Sequence, residues 1–510
     1  MGNNGTSGIR LRYSGLIVFA TQLLGVVTGL IFTLLLTRSM TQTEFGDWTN
    51  IFDYTPYFII ASGILPFWVT RFIARDIKGT VITSTVSQLT LAVIATVTYL
   101  PIITAVSYAI GTSQYLPIYL IAGFYLLAHY MVTVFEAALT ATKPHATGYG
   151  FIIQEVVKVA VALIVILGLG QIFLGAILAL VIAPTTQVFY YVYKLRHYFK
   201  EKIDWRYFKQ WIKGSPVLLY NVLGTQILAS FLILLYLYGG SEARAYYQNA
   251  LSFTTIVSYA SSISIALYPK LLANSCSKDD IKLSFKTVMM LAIPLATIVM
   301  TMASSFLTVL NVTYADGWPV LIALTVDTLI TMLITFYSSI LMGTENFDAA
   351  GEIHFKRLVK SRIFKLFSIP YVQSAVALPA VYLVLTQLSV GSPVTTSVAV
   401  VAVLILVHLG TFIALAAKSR RSIHVPIAWR SIAKYISAAF IMGAALVLAP
   451  TTTTLMATIT KTLAGFGLYI AILLAIDTQA RELLRLIWRE IETNLLHRNT
   501  GQNPSVPTEN

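Results

Sequence analysis

Few ionisable side chains in this 510-residue sequence stand inside its long apolar runs; most lysines, arginines and acids lie between them. The exceptions are His129 and Glu136 in one run, Glu155 and Lys158 in the next, and Asp327 much further along. A charged group at the centre of a bilayer-spanning helix costs about 2.5–3.5 kcal/mol on insertion scales, so each of these is a functional candidate. Glu155 and Lys158 are three residues apart, on one face of a helix, where they can pair directly. Glu136 is placed to meet Lys158 across a helix contact, with His129 deeper in the same run. Two roles remain open for this group: a polar cavity wall in which Lys158 reaches an anion, or a closed ion pair that locks two helices. Asp327 is the carboxylate well inside the second half; it suits a coupling proton or cation, or a helix-packing hydrogen bond. Asp53, near the end of its run, is expected to be solvated. Asn221, Gln226 and Gln22 are mid-run amides whose commoner role is to join helices.

Some chemistries are disfavoured at once. The single cysteine, Cys276, rules out an intramolecular disulfide and a cysteine-based metal cluster. Gly148-Tyr-Gly150 lacks the Lys-Ser or Lys-Thr that would make a phosphate-binding loop. No cofactor or metal is expected.

The elements that must position these residues follow from composition. The chain is 57% hydrophobic and 11% charged, with a mean hydropathy of +0.76. A soluble domain carries about 25% charged residues to face water, so lipid must be the solvent here. Apolar runs of about 20 residues recur along the chain, the length a helix needs to cross the hydrocarbon core. They predict an all-α polytopic membrane protein of about 14 transmembrane helices. Residues 1–193 form a six-helix lobe, 194–214 a basic amphipathic linker, and 215–417 a second six-helix lobe. Residues 418–477 form an additional helix pair, and 478–510 a tail.

The net charge of +14 reflects orientation rather than nucleic acid binding. Lysines and arginines crowd alternate connections; the intervening ones hold only Arg38, Arg244 and Lys461. That bias predicts both termini on the cytoplasmic side. The linker is rich in aromatics (Tyr198, Phe199, Trp205, Tyr207, Phe208, Trp211) and reads as a helix lying on the cytoplasmic leaflet. Connections on the outer side are short, so no extramembrane domain is expected.

Leu36-Thr-Arg38 followed by Glu44-Phe-Gly-Asp-Trp48 closes the first run. It resembles the arginine, then Glu-Phe-Gly-aromatic pattern of polysaccharide transporters of the MOP superfamily, the O-antigen or lipid-linked oligosaccharide flippase type. Pro66 to Arg75 is similar to that family's second helix, Gly239 to Ala250 to its helix-opening motif, and Leu267-Tyr-Pro269-Lys270 to that helix's end. The matching places of these motifs suggest a repeat of two lobes, the architecture of alternating access. The resemblance implies a plasma-membrane flippase that moves a polyprenyl-diphosphate glycan from the inner to the outer leaflet, without catalysis. Its partners would be that glycan, membrane lipid and a coupling proton or sodium ion, with no nucleic acid. Under this reading Arg38, Arg71 and Arg244 attract diphosphate, whose oxygens fit a guanidinium fork, while Tyr246 and Tyr247 meet sugar hydroxyls. Snorkelling to headgroups is the competing role for Arg71. The alternatives are a multidrug cation antiporter, a peptidoglycan-precursor flippase, and a membrane glycosyltransferase or ligase holding a metal at Glu44 and Asp47.

Overall fold

The computed structural model describes residues 24–261, 278–343, 362–387, 391–422, 428–477 and Arg481. Gln22, Pro269, Lys270, Cys276 and nearly all of the 478–510 tail lie outside the described residues. Every regular element among the described residues is helical. Twelve helices are long and apolar enough to cross a membrane. The other two expected spans coincide with helices that fall short of this: Leu24–Ser39, here α1, and the more polar Ser241–Ser258. Each adjoins residues outside the description.

The first lobe starts with α1. Next come α2 (Gln42–Ile59) and α3 (Ile64–Ala74), joined by the 3-10 segment Ile60–Gly63. They were expected as one span, 49–71. It starts a full turn earlier, because Thr41 and Glu44 form a capping box that satisfies its first amides. Pro56 lies just ahead of the tightened segment, where it removes one backbone donor. The lobe continues with α4 (Thr80–Ala109), α5 (Leu116–Thr142), α6 (Pro144–Ala162) and α7 (Ile172–Leu195). Close approach rests on small residues: a Cβ on Gly150 would stand 2.1 Å from the Tyr191 ring, so α6 and α7 pack backbone to ring.

The linker differs from the single helix expected across 194–214. Only α8 (Trp205–Gly214) is a regular α-helix, capped by Asp204. The neighbouring Arg206 guanidinium holds the Asp204 carboxyl below its ordinary range. Trp211 is fully buried against Phe72 and Tyr207, so one face of α8 is docked on the first lobe. Trp205 and Ile212 remain exposed.

The second lobe comprises α9 (Pro216–Ala229), α10 (Phe231–Gly239), α11 (Ser241–Ser258), α12 (Lys278–Thr301) and α13 (Ala303–Leu310). It ends with α14 (Trp318–Gly343), α15 (Arg362–Phe367), α16 (Ile369–Gln387) and α17 (Pro393–Ser422). The final pair, α18 (Trp429–Leu448) and α19 (Leu455–Ile476), packs on α12. Its outer faces present Phe440, Leu448 and Met456, each more than 75% exposed, as a lipid-facing helix requires.

Candidate functional site

The two lobes meet along α2 and α11, the helices that carry the corresponding motifs. Gly46 explains why they come so close: a Cβ there would lie 1.9 Å from the Ser241 carbonyl oxygen, so only glycine admits the crossing. In the Glu44-Phe-Gly sequence, Glu44 therefore completes the helix cap, Phe45 packs edge-on against Tyr314, and Gly46 lets the lobes touch.

Polar contacts close this crossing on the face of the short connections. Tyr236 donates to Asp47 at 2.7 Å, and Gln42 donates to the Tyr246 hydroxyl at 3.0 Å. Thr43 donates to Glu242 at 3.4 Å. Asn311 donates to the Thr37 carbonyl at 2.9 Å. Arg38, expected to attract anions, instead donates to the carbonyls of Leu310 (3.3 Å) and Val309 (2.8 Å), which end α13. Unsatisfied carbonyls at a helix C-terminus are a favourable place for a cation.

Arg244 has the most constrained position. Its guanidinium forms a two-point bridge with Asp53 at 2.8 and 2.7 Å and donates to Gln248 at 3.1 Å. Both side chains are at most 6% exposed. The expectation that Asp53 is solvated is thus corrected: the partner that decides its burial is 191 residues away in sequence. The Arg244 guanidinium also stands 5.9 Å from the Tyr247 ring. Tyr247 itself packs edge-on against Phe231. Tyr246 donates to the Thr313 carbonyl at 3.2 Å, and both tyrosines are buried.

In the first lobe Lys158 and Glu155 pair at 2.6 Å. Thr28 of α1 donates to the same carboxylate, and the Lys158 ammonium stands 6.0 Å from the Phe32 ring. The pair thus ties α6 to α1. Glu136 does not join it; its carboxylate accepts from Gln187 at 3.1 Å and Tyr191 at 3.2 Å, both on α7. His129 stacks at a tilt on Tyr125, 5.7 Å between centroids. Arg71 is exposed and lies 4.0 Å over the Phe67 ring, a geometry suited to snorkelling.

Deep in the second lobe, Asp327 of α14 meets a residue that sequence reading passed over. The His408 Nδ1 of α17 stands 2.6 Å from its Oδ1, each side chain 11% exposed. The rule that singled out Asp327, an ionisable group inside an apolar run, applies equally to His408.

Between the lobes is a cavity of about 470 Å³. Its lining includes Gly25, Gly29 and Thr33 of α1, Gln248, Ser252 and Thr255 of α11, and Ile459 and Leu463 of α19. Apolar surface dominates it, with the α11 side chains supplying polar atoms.

No family model matches the sequence, and no curated protein sequence matches it. Solved structures do. A lipid II flippase MurJ in an inward closed conformation aligns with TM-score 0.61 and 10% identity, over 90% of this chain and 97% of that one. An inward-facing multidrug resistance MATE family transporter of the MOP superfamily aligns with TM-score 0.59 and 14% identity, over 79% and 95%. An outward-facing structure of a MATE family transporter gives 0.53 and 14%, over 81% and 95%. At these identities the likeness is one of fold. Two helical lobes that meet at α2 and α11, with a further helix pair on the second, give this chain the fold of the MOP-superfamily membrane transporters.

Proposed function

We propose that the chain is a flippase for polyprenyl-diphosphate-linked oligosaccharide, moving it from the inner to the outer leaflet by alternating access. The observation that carries this reading is the cavity between α1, α11 and the extra helix α19. It borders apolar helix faces and a row of amides and hydroxyls together, which suits an amphiphile rather than a small hydrophilic solute. The wider coverage of the lipid II flippase alignment supports an amphiphilic substrate at the level of fold analogy.

In this reading the lobes are closed on the short-connection face, which the charge bias places outside, and substrate enters from the cytoplasmic leaflet. The same bias puts both termini in the cytoplasm, with the plasma membrane as the site of action. Lys158, Arg244, Arg38 and Arg71 are the cations available to a diphosphate. The first three must leave the partners described above before they can serve it. Glu136, Glu155 and His129 contribute polarity to the first lobe. Tyr246 and Tyr247 become available to sugar hydroxyls only when the lobes part.

The test is flipping of a polyprenyl-diphosphate oligosaccharide in vesicles, read by loss of protection from an impermeant glycan-binding reagent. In the producing cell, loss of the gene is expected to leave complete glycan precursors trapped on the cytoplasmic face. Normal surface glycans with altered drug resistance would replace this reading with a multidrug antiporter. Chemically incomplete glycans would replace it with an enzyme.

A further inference from the structure

We infer that Asp327 and His408 together form a proton-binding site in the second lobe, and that its charge sets the strength of the Asp53–Arg244 bridge between the lobes. The first observation is geometric. One carboxylate oxygen and one imidazole nitrogen stand 2.6 Å apart, joining α14 to α17 in the lobe interior. A hydrogen bond that served only to join helices could be made by an amide or hydroxyl at far smaller cost in desolvation. Gln373 and Thr411 make such a neutral bond nearby in sequence, at 3.1 Å between α16 and α17.

The second observation is chemical. A carboxylate that accepts from a neutral imidazole carries net charge −1. When Nε2 takes a proton the pair becomes an imidazolium carboxylate of net charge zero, so one proton changes the charge of the lobe interior without breaking the bond. The two groups titrate as a unit rather than singly. A hard metal cation would need several oxygen ligands around it. Among the described residues no group of three or more histidines, cysteines or acids could hold one. The pair is built for a proton.

The third observation is its position. Tyr247 of α11 lies within electrostatic reach of Asp327 and also of Arg244 and Asp53. Arg244 thus lies between two acids, Asp53 of the other lobe and, across the Tyr247 ring, Asp327 of its own. When the pair is at −1 it competes for the guanidinium; when it is neutral, Asp53 holds Arg244 alone. Proton uptake therefore strengthens the closed crossing, and proton release loosens it.

Other charged groups on the packed elements are remote. Asp316 precedes α14 and Lys418 follows on α17, each about 15 Å along the helix axis from the pair. Lys282 and Lys286 stand in the first turns of α12, and Lys365 on α15 packs near the far end of α14. On α16 the titratable Tyr371 is bonded to the Tyr220 carbonyl and Tyr382 packs on Tyr238. Tyr337 of α14 packs on Phe412.

The inference rests on the transport reading for what the proton drives, but not for its binding, so the experiment uses no substrate. The full chain, with Cys276→Ser and spin labels at Gln114→Cys and Val312→Cys, is placed in vesicles and the label-to-label distance is measured between about pH 5 and pH 8, the range in which histidine charge changes. The expected result is a shift toward the short distance as pH falls, unchanged by sodium. At least a fivefold loss of that shift is expected in both Asp327→Asn and His408→Gln. Either of two results overturns the inference: no pH response in the otherwise unmodified chain, or a full response in a folded variant of either residue. A response to sodium at constant pH overturns it as well. Failure of the vesicle flipping assay alone would reject the flippase reading and leave this result standing.

Discussion

At the scale of single residues, Arg244 and Asp53 matter most, because each is buried and each is the other's only full countercharge among the described contacts. Removing one partner of a buried ion pair leaves an uncompensated charge and typically costs about 3–5 kcal/mol. Arg244→Gln is therefore expected to lower the unfolding temperature in detergent sharply. Adding Asp53→Asn to it should recover most of the loss; a double-mutant cycle on melting curves measures the difference. Gly46 is the second sensitive position. Gly46→Ala places a methyl group against the Ser241 carbonyl, so the crossing must widen, at a cost of about 1–3 kcal/mol. The distance between labels on the two lobes should increase even where the protein stays folded; an unchanged distance would refute the close crossing. Neither pairing was legible in the sequence. Arg244 stood out as a cation near a span end, but a guanidinium at a span end is compatible with phosphate, lipid or acid alike. The acid that claims it is in the other lobe.

At the scale of elements, start signals and packing decide the boundaries. The capping box at Thr41 and Glu44 carries α2 a turn beyond where hydropathy alone begins it. Glu44→Ala removes half of that box and is expected to cost about 1 kcal/mol, seen as a small fall in melting temperature with the transmembrane core intact. The linker shows the converse. Its amphipathic pattern was plain, but only α8 becomes a regular α-helix, and its buried face meets Phe72 of α3 through Trp211 rather than lipid alone. Trp211→Ala should cost about 3–5 kcal/mol if that docking is part of the lobe's core. Trp205→Ala, at an exposed site, should leave melting unchanged. Glu155 and Lys158 were legible as a pair because helical spacing is local information. Glu136 was not, since its partners Gln187 and Tyr191 are on a helix that sequence spacing cannot place beside it.

At the scale of the whole molecule, the lobes touch on one face, and alternating access requires that contact to break. Thr43 and Glu242 approach to 3.4 Å across it. A disulfide formed between Thr43→Cys and Glu242→Cys, in a chain with Cys276→Ser, is expected to abolish flipping, and a reducing agent to restore it. Flipping that continues at full rate in the oxidised protein would mean that the crossing does not open during transport.

The sequence by itself determined that this chain spans a membrane as helices, because hydrocarbon leaves the backbone no other partner for its amides along apolar runs of that length. It also determined the two-lobed outline, since motif order and charge alternation are linear properties of a chain threaded back and forth through a bilayer. Only the tertiary structure decided which buried charges meet. An ion pair is a choice made in three dimensions among every group of opposite sign, and the partners chosen here, Asp53 for Arg244 and His408 for Asp327, lie on helices far apart in sequence.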